Sequence, residues 1–104
     1  MTWKQFCDLM KIEILWSFRD KLGYQLAYIA KDKPEAAKKF KNEIIKRIKQ
    51  LPKNPYSNRK SIYFDRPDIR DLVFKGYTIV YKIDETKKTI VVFGFTKFED
   101  KPFG

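Results

Sequence analysis

Histidine is absent from the 104-residue sequence, and cysteine occurs only once, at Cys7. The missing histidine excludes histidine-based acid–base catalysis, histidine-ligated metals and nucleophiles that depend on a histidine base. A single cysteine excludes an internal disulfide and a zinc site built from thiolates, which favours a reducing, cytoplasmic compartment. The sequence also lacks an apolar run near the ~20 residues of a membrane span, and a leader with a charged start and an apolar centre. We therefore expect a cytoplasmic protein with no membrane contact, metal or cofactor.

Negative charge is scarce. Lysine and arginine number 23 against 13 aspartates and glutamates, for a formal net charge of +10. Most of the excess lies in residues 31–60, which hold eleven cations and three acids. A one-sided positive field attracts polyanions and acidic proteins. Nucleic acid and an acidic protein are therefore both open as partners, and the alternative is a merely solvated helix face.

Two amphipathic helices are predicted in the first half of the chain. Apolar residues at helical spacing form one stripe at Phe18, Leu22, Leu26 and Ile29, and a second at Ala37, Phe40, Ile44, Ile48 and Leu51. Asp32 is predicted to cap the second helix, with Glu35 reaching back to it and Pro34 in the first turn. This helix should end at Leu51–Pro52, and the short connection predicts an antiparallel hairpin.

The remaining elements are strands, which are predicted over residues 11–17, 69–75, 77–84 and 88–96, with a short extended piece at 61–64. The order β-α-α-β-β-β predicts an α+β domain in which the helical hairpin packs on one face of a small, mostly antiparallel, twisted sheet. We expect the helix stripes to share one core with a set of sheet residues, namely Trp16, Ile79, Tyr81, Ile83, Ile90 and Val92.

Four stretches of this sequence resemble the RelE/ParE superfamily, the toxin halves of bacterial type II toxin–antitoxin modules. They are ILWS at residues 14–17, YIAKDKPEAA at 28–37, IRDL at 69–72 followed by GYTIVYKI at 76–83, and the last strand with a polar tail that contains Pro102. The resemblance spans residues 10–102. It predicts a single toxin domain over residues 10–104 and an N-terminal extension over 1–9, with Met1 or Met10 as the natural start.

The resemblance implies one of two activities. RelE-like toxins are ribosome-dependent mRNA endonucleases, whereas ParE-like toxins inhibit DNA gyrase by binding. Thr78 stands where the nucleases carry an arginine, and the tail at residues 97–103 lacks their terminal tyrosine. Both departures remove groups that phosphate chemistry needs. The sequence therefore favours the ParE-like branch, without catalysis and with a cognate antitoxin as partner.

Candidate site residues follow from the resemblance and from the charge pattern. If the chain is a nuclease, the cations on the sheet would be Arg70, Lys75, Lys82 and Lys97. Target or antitoxin binding would use Arg70, Lys38, Lys39, Lys46, Lys49 and Lys97. Alternatively, Arg70 pairs with a nearby acid and covers the sheet with its stem, and the lysines are ordinary surface residues. Tyr77 and Tyr81 share a face with Ile79 and Ile83, so we expect them in the core or at its edge.

Three hypotheses remain open at this point. The first is a ParE-like toxin that binds DNA gyrase, and the second is a RelE-like toxin that acts on the ribosome and mRNA with an atypical basic site. The third is a degenerate, non-toxic member that serves only to bind protein or nucleic acid. A short overlapping reading frame for an acidic antitoxin would favour either toxin over the third.

Overall fold

The computed structural model describes residues 10–97, so the predicted extension, Cys7 and the polar tail lie outside the described residues. The elements are β1 (Lys11–Ile14), α1 (Trp16–Asp32), α2 (Pro34–Lys49), a 3₁₀ turn (Leu51–Lys53), β2 (Arg59–Lys60), β3 (Ile69–Phe74), β4 (Tyr77–Asp84) and β5 (Thr89–Lys97). The predicted α+β class and element order are confirmed.

The five strands form one mixed sheet in the order β1-β5-β4-β3-β2, in which β1 runs parallel to β5 and the other pairs are antiparallel. Alternate residues of the strands point to opposite faces of the sheet. The cross-strand pairs Leu72–Ile79 and Ile79–Phe95 therefore lie on the same face. This is the face that receives the helices, because these residues share one buried cluster with Phe18 of α1 and Ile44 of α2.

A β-bulge interrupts the pairing of β4 with β5. Val80 is opposite Gly94, but the next residue, Tyr81, is opposite Val92, which leaves Phe93 as the extra residue of β5. An extra residue shifts the alternation of the bulged strand. As a result Val92 and Phe95 are both buried in the core, although strict alternation would have directed Gly94 inward.

The core combines both helices with the sheet, as the sequence predicted. The stripe of α2 and the adjoining Leu51 is buried, and so are Phe18 and Leu22 of α1. Leu26 and Ile29 are half-buried and pack against the same cluster. The sheet contributes Ile79, Tyr81, Ile83, Ile90 and Val92 to the core, all as predicted.

The first strand is shorter than predicted, and this changes the position of Trp16. β1 ends at Ile14, and the carbonyl of Leu15 accepts the backbone N–H groups of Phe18 and Arg19, which starts α1 at Trp16. Because Trp16 belongs to the first turn of a helix and not to the sheet, its side chain points outward and is 74% exposed. The prediction that Trp16 lies in the core was wrong.

The junction between the helices also differs from its prediction. Asp32 is the last residue of α1, and α2 has no side-chain cap. Lys33 alone separates the two helices, since its N–H donates to Ile29 and its carbonyl accepts from Ala37. Pro34 accounts for this arrangement, because a proline disfavours helical conformation in the residue before it. Lys33 accordingly has φ −135° and ψ 79°.

Two further boundaries moved. α2 ends at Lys49, and Leu51–Lys53 form a 3₁₀ turn that keeps Leu51 buried. The extended piece predicted at residues 61–64 is instead β2, which pairs Arg59 with Asp71 and Lys60 with Arg70. The chain then turns away from the edge of β3, and the N–H of Ile62 donates to the buried Asp71 carboxylate at 3.1 Å.

Candidate functional site

The predicted cationic surface is present on α2. Its four residues, Lys38, Lys39, Lys46 and Lys49, are called the lysine face below, and all four are exposed. They lie on the side of α2 opposite the buried stripe, as the helical period requires. A shallow concavity of about 320 Å³ runs along this side and is also lined by Asn42, Glu35 and Glu43. Within residues 10–97, no carboxylate forms an ion pair with any lysine of this face.

Lys75 is held by a carboxylate of α2. Its ammonium donates a hydrogen bond to Glu43 Oε1 at 3.0 Å. This hydrogen bond lowers the pKa of the Glu43 carboxyl below its ordinary value. Lys75 also occupies the turn between β3 and β4 with a φ of +50°. The structure therefore places Lys75 beside the helical hairpin, where it ties a turn of the sheet to α2.

Arg70 holds the connection between α2 and β3. Its Nε donates to the carbonyl of Pro67 at 2.9 Å, and its Nη1 donates to the carbonyl of Asn58 at 3.0 Å. The guanidinium carbon lies 5.0 Å from the centre of the Tyr56 ring. The planar fork of the guanidinium suits this combination of two acceptors and an aromatic face. Arg70 thus binds backbone carbonyls, and the paired acid considered from the sequence is not its partner here.

Replacing Arg70 by lysine should lower the free energy of unfolding by about 1–2 kcal/mol, because an ammonium keeps the charge but cannot reach both carbonyls. Urea unfolding measures this loss. Arg66→Lys is the matched control, since Arg66 forms an exposed ion pair with Asp68 and should change stability by no more than about 0.5 kcal/mol. Unchanged stability in Arg70→Lys, together with lost partner binding, would contradict the assignment of Arg70 to the connection.

The four cations of the nuclease hypothesis do not share one side of the sheet. Arg70 is opposite Tyr81 on β4, and Lys82, as the next residue along β4, points to the other face. Lys97 is opposite Tyr77 at the far end of β5. Thr78, which stands in the position of the nuclease arginine, is buried. Arg70 and Lys82 therefore face opposite sides of the sheet and cannot act together on one face.

The two tyrosines of β4 belong to the core, as predicted. Tyr81 is fully buried, and its hydroxyl donates to the carbonyl of Pro55 at 2.6 Å and accepts from Asn58 at 3.0 Å. Burial raises the pKa of Tyr81 above its ordinary value. Tyr77 is half-buried, with its ring stacked on Phe95 at 5.3 Å. The Tyr81 hydroxyl is therefore engaged by two protein groups.

Exposed aromatic side chains on α1 form a surface that the sequence analysis did not select. Tyr24 is 82% exposed and Tyr28 is 65% exposed, one helical turn apart. Tyr24 lines a concavity of about 450 Å³ between α1 and the end of β5, together with Lys21 and the predicted site residue Lys97. Helical spacing alone could have predicted that these tyrosines are exposed, because both lie outside the buried stripe that contains Phe18 and Leu22.

Two negative findings bear on the site, and both concern residues 10–97 alone. No helix there is long and apolar enough to cross a membrane. The same residues contain no group of three or more acidic or cysteine side chains that could hold a metal ion.

Comparisons with known proteins agree with this geometry. The model of one family, described as "ParE toxin of type II toxin-antitoxin system, parDE", matches residues 12–96. The chain is similar in structure to a chain of the chromosomal ParDE TA system from P. aeruginosa, with a TM-score of 0.72 and 16% identity, over 88% of this chain and 99% of the other. The isolated E. coli RelE toxin is also similar, with a TM-score of 0.57 and 15% identity, over 89% and 88%. A comparison with curated proteins returned no match.

Proposed function

We propose that this chain, which belongs to the ParE toxin family of type II toxin–antitoxin systems, inhibits DNA gyrase by binding and is neutralised by a cognate antitoxin. The observation that carries this proposal is the match of the family over residues 12–96, which covers both helices and nearly the whole sheet. Membership of the family implies that the chain is a toxin with a cognate antitoxin. The family match does not identify the target, so gyrase as the target and inhibition without catalysis are what we propose.

The distribution of charged and polar groups supports binding over catalysis. General acid–base catalysis of RNA cleavage needs cations and a proton-transfer group that converge on one phosphate. Here Arg70 is occupied by backbone carbonyls, Lys75 by Glu43, and the Tyr81 hydroxyl by Pro55 and Asn58. Free lysines have a pKa near 10.4 and are poor proton acceptors at neutral pH.

The antitoxin, in this proposal, lies over the helical hairpin. The exposed Tyr24 and Tyr28 offer apolar area with hydroxyl groups, a combination that is enriched at protein interfaces. On the other helix of the hairpin, the lysine face offers an acidic partner cations that form no ion pair within residues 10–97. An amphipathic helix or an extended segment could use both features at once. Lys97, at the edge of the concavity that contains Tyr24, would then be a further contact.

Association with an acidic antitoxin should depend steeply on salt. Long-range attraction accelerates encounter at low ionic strength and is screened at high ionic strength, whereas dissociation changes little. We expect the association rate constant to fall about tenfold or more between 0.02 M and 0.3 M salt, as measured by stopped-flow fluorescence. Glutamine at all four positions of the lysine face should flatten this dependence. An association rate independent of salt in the wild type would show that the lysine face is merely solvated.

Induced expression tests the proposal in cells. The protein is expressed with and without the neighbouring antitoxin gene, and the cells are scored for a DNA-damage response and for mRNA cleavage. The proposal predicts growth arrest with a DNA-damage response, relieved by the antitoxin, and no loss of arrest in Lys97→Ala alone. Codon-specific mRNA cleavage that is abolished by Arg70→Ala or Lys82→Ala would instead support the endonuclease.

A further inference from the structure

The cations of the basic segment at residues 31–60 are all on the surface. All eleven of its lysines and arginines are exposed to solvent, and its three acids leave a net charge of +8. One of the eleven, Arg59, pairs with a carboxylate within the described residues, that of Asp71 at 3.4 Å. One of the three acids, Glu43, is already engaged by Lys75. The segment therefore exposes eleven cations, of which only Arg59 forms an ion pair within residues 10–97, and its acids Asp32, Glu35 and Glu43 are outnumbered.

A second concavity extends this surface beyond the end of α2. It has a volume of about 410 Å³, and its polar lining residues are Arg47, Gln50, Lys53, Asn54, Ser57 and Asn58. Every one of these side chains can donate a hydrogen bond, and none is a carboxylate. Such side chains supply most contacts to phosphate and sugar groups in complexes with DNA. The last turn of α2 carries Lys46, Arg47 and Lys49, whose positive charges lie at the negative end of the helix dipole and interact favourably with it.

Aromatic side chains are missing from the exposed surface of α2. Its single aromatic residue, Phe40, is buried in the core. Proteins that bind single-stranded nucleic acid stack the bases on exposed aromatic rings. The exposed surface of α2 carries no such ring, and is therefore suited to the backbone of a duplex, whose bases are already stacked.

We propose that the lysine face and the Arg47–Lys53 concavity beside it bind the phosphate backbone of double-stranded DNA without sequence selectivity. The 16 residues of α2 extend about 24 Å at 1.5 Å per residue, which matches roughly seven base pairs at 3.4 Å. The net charge of +8 in this segment favours a polyanion over a protein, whose surface mixes charges. This binding does not depend on the proposed function, and an acidic antitoxin and DNA would compete for the same cations.

Fluorescence anisotropy with a labelled 20-base-pair duplex of arbitrary sequence tests this proposal on the isolated protein. The test variant is Lys39→Gln, Lys46→Gln and Lys49→Gln in one chain. The matched control removes the same charge elsewhere, through Lys11→Gln, Lys87→Gln and Lys88→Gln, which lie on β1 and the turn between β4 and β5. Circular dichroism confirms that both variants are folded.

The wild type should bind the duplex, and its log Kd should rise with log salt. Each lysine removed from a phosphate contact should reduce this slope by about 1, so the test variant should lose about 3 and bind at least about tenfold more weakly at 0.05 M salt. The control should retain the wild-type slope to within about 1. The protein should also prefer the duplex to the single strand of the same sequence.

Three results would overturn the proposal. The first is an equal loss of affinity in the test variant and the control, which would reflect net charge alone. The second is tighter binding of the single strand than of the duplex, or no binding of either at 0.05 M salt. The third is binding of a 20-residue polyglutamate at least as tight as that of the duplex, with the same dependence on the lysine face. That outcome would assign the surface to acidic proteins.

Discussion

Phe40→Ala should lower the free energy of unfolding by about 3–5 kcal/mol, as truncations of large aromatic residues in protein cores do. Phe40 carries a buried ring of α2 that lies 5.9 Å from the ring of Phe74 and 4.9 Å from that of Tyr77. Tyr77 in turn stacks on Phe95, which contacts Phe18 of α1 edge to face at 5.6 Å. Removing the Phe40 ring therefore opens a cavity inside a series of aromatic contacts that joins both helices to three strands.

Urea unfolding measures this loss, with Tyr28→Ala as the matched control. Tyr28 is an aromatic residue on the other helix and is 65% exposed, so its truncation should change stability by no more than about 0.5 kcal/mol. Small domains have a total stability of about 5–15 kcal/mol, and Phe40→Leu provides a milder variant if the alanine variant fails to fold. Equal effects at Phe40 and Tyr28 would mean that the register of α2 is different.

Gly94→Ala should destabilise the protein by about 1–3 kcal/mol, the usual cost of forcing extra atoms into a packed interior. Gly94 lies at the bulge of β5, directly opposite Val80 of β4. A Cβ atom at this position would lie 2.9 Å from the Val80 Cβ and 3.1 Å from its Cγ2. Because these atoms belong to a β-branched side chain on the neighbouring strand, the overlap can be relieved only by moving one strand against the other.

A double-mutant cycle isolates this contact. Val80→Gly removes the atoms that a new Cβ would meet, so Gly94→Ala should cost little or should stabilise the chain in that background. Gly23→Ala is the control for the general effect of replacing glycine, because no atom lies within 4 Å of the position of its Cβ. It should stabilise α1 by up to about 1 kcal/mol. The same cost for Gly94→Ala in both backgrounds would contradict the close approach of the strands.

The helices and the main strands could be predicted because each has a strong local signal. The 3.6-residue period of Phe40, Ile44 and Ile48 identified the buried side of α2, and the two-residue period of Tyr77–Asp84 gave the bounds of β4. The structure confirms that α2 is buried on one side, whereas in β4 Thr78 and Val80, on the face opposite Ile79, are buried as well. The predictions were wrong at positions where a local sequence pattern competes with a constraint from a neighbouring residue.

Trp16 illustrates that competition, and Phe95, for which no prediction was made, shows a similar effect. The extended pattern continues to Ser17, but hydrogen bonds to the carbonyl of Leu15 begin α1 at Trp16. Phe95 enters the core only because the bulge at Phe93 shifts the alternation of β5. At the helix junction, the constraint that Pro34 places on Lys33 replaced the expected cap at Asp32. Each outcome depends on backbone geometry that the residue pattern does not encode.

The sequence predicted the positive charge of the candidate site but not the contacts that its cations form. Exposure of the lysine face follows from the helical period, and the structure agrees with it. The sequence alone could not reveal that Arg70 binds the carbonyls of Pro67 and Asn58, or that Lys75 pairs with Glu43, because these partners are distant along the chain or lie in an irregular connection. Those contacts weaken the nuclease hypothesis, and the roles of all these cations in partner binding stay predictions.

Inhibition of DNA supercoiling is the most direct measurement of the central claim, that this chain acts by binding gyrase. Purified protein is titrated into gyrase with relaxed plasmid, and relaxation of supercoiled plasmid by topoisomerase I is followed in parallel, since simple coating of the DNA would slow both enzymes. The proposal predicts that supercoiling by gyrase is inhibited, that topoisomerase I is unaffected at the same concentrations, and that the antitoxin restores supercoiling. Undiminished supercoiling in excess toxin, or equal inhibition of both enzymes, would contradict it.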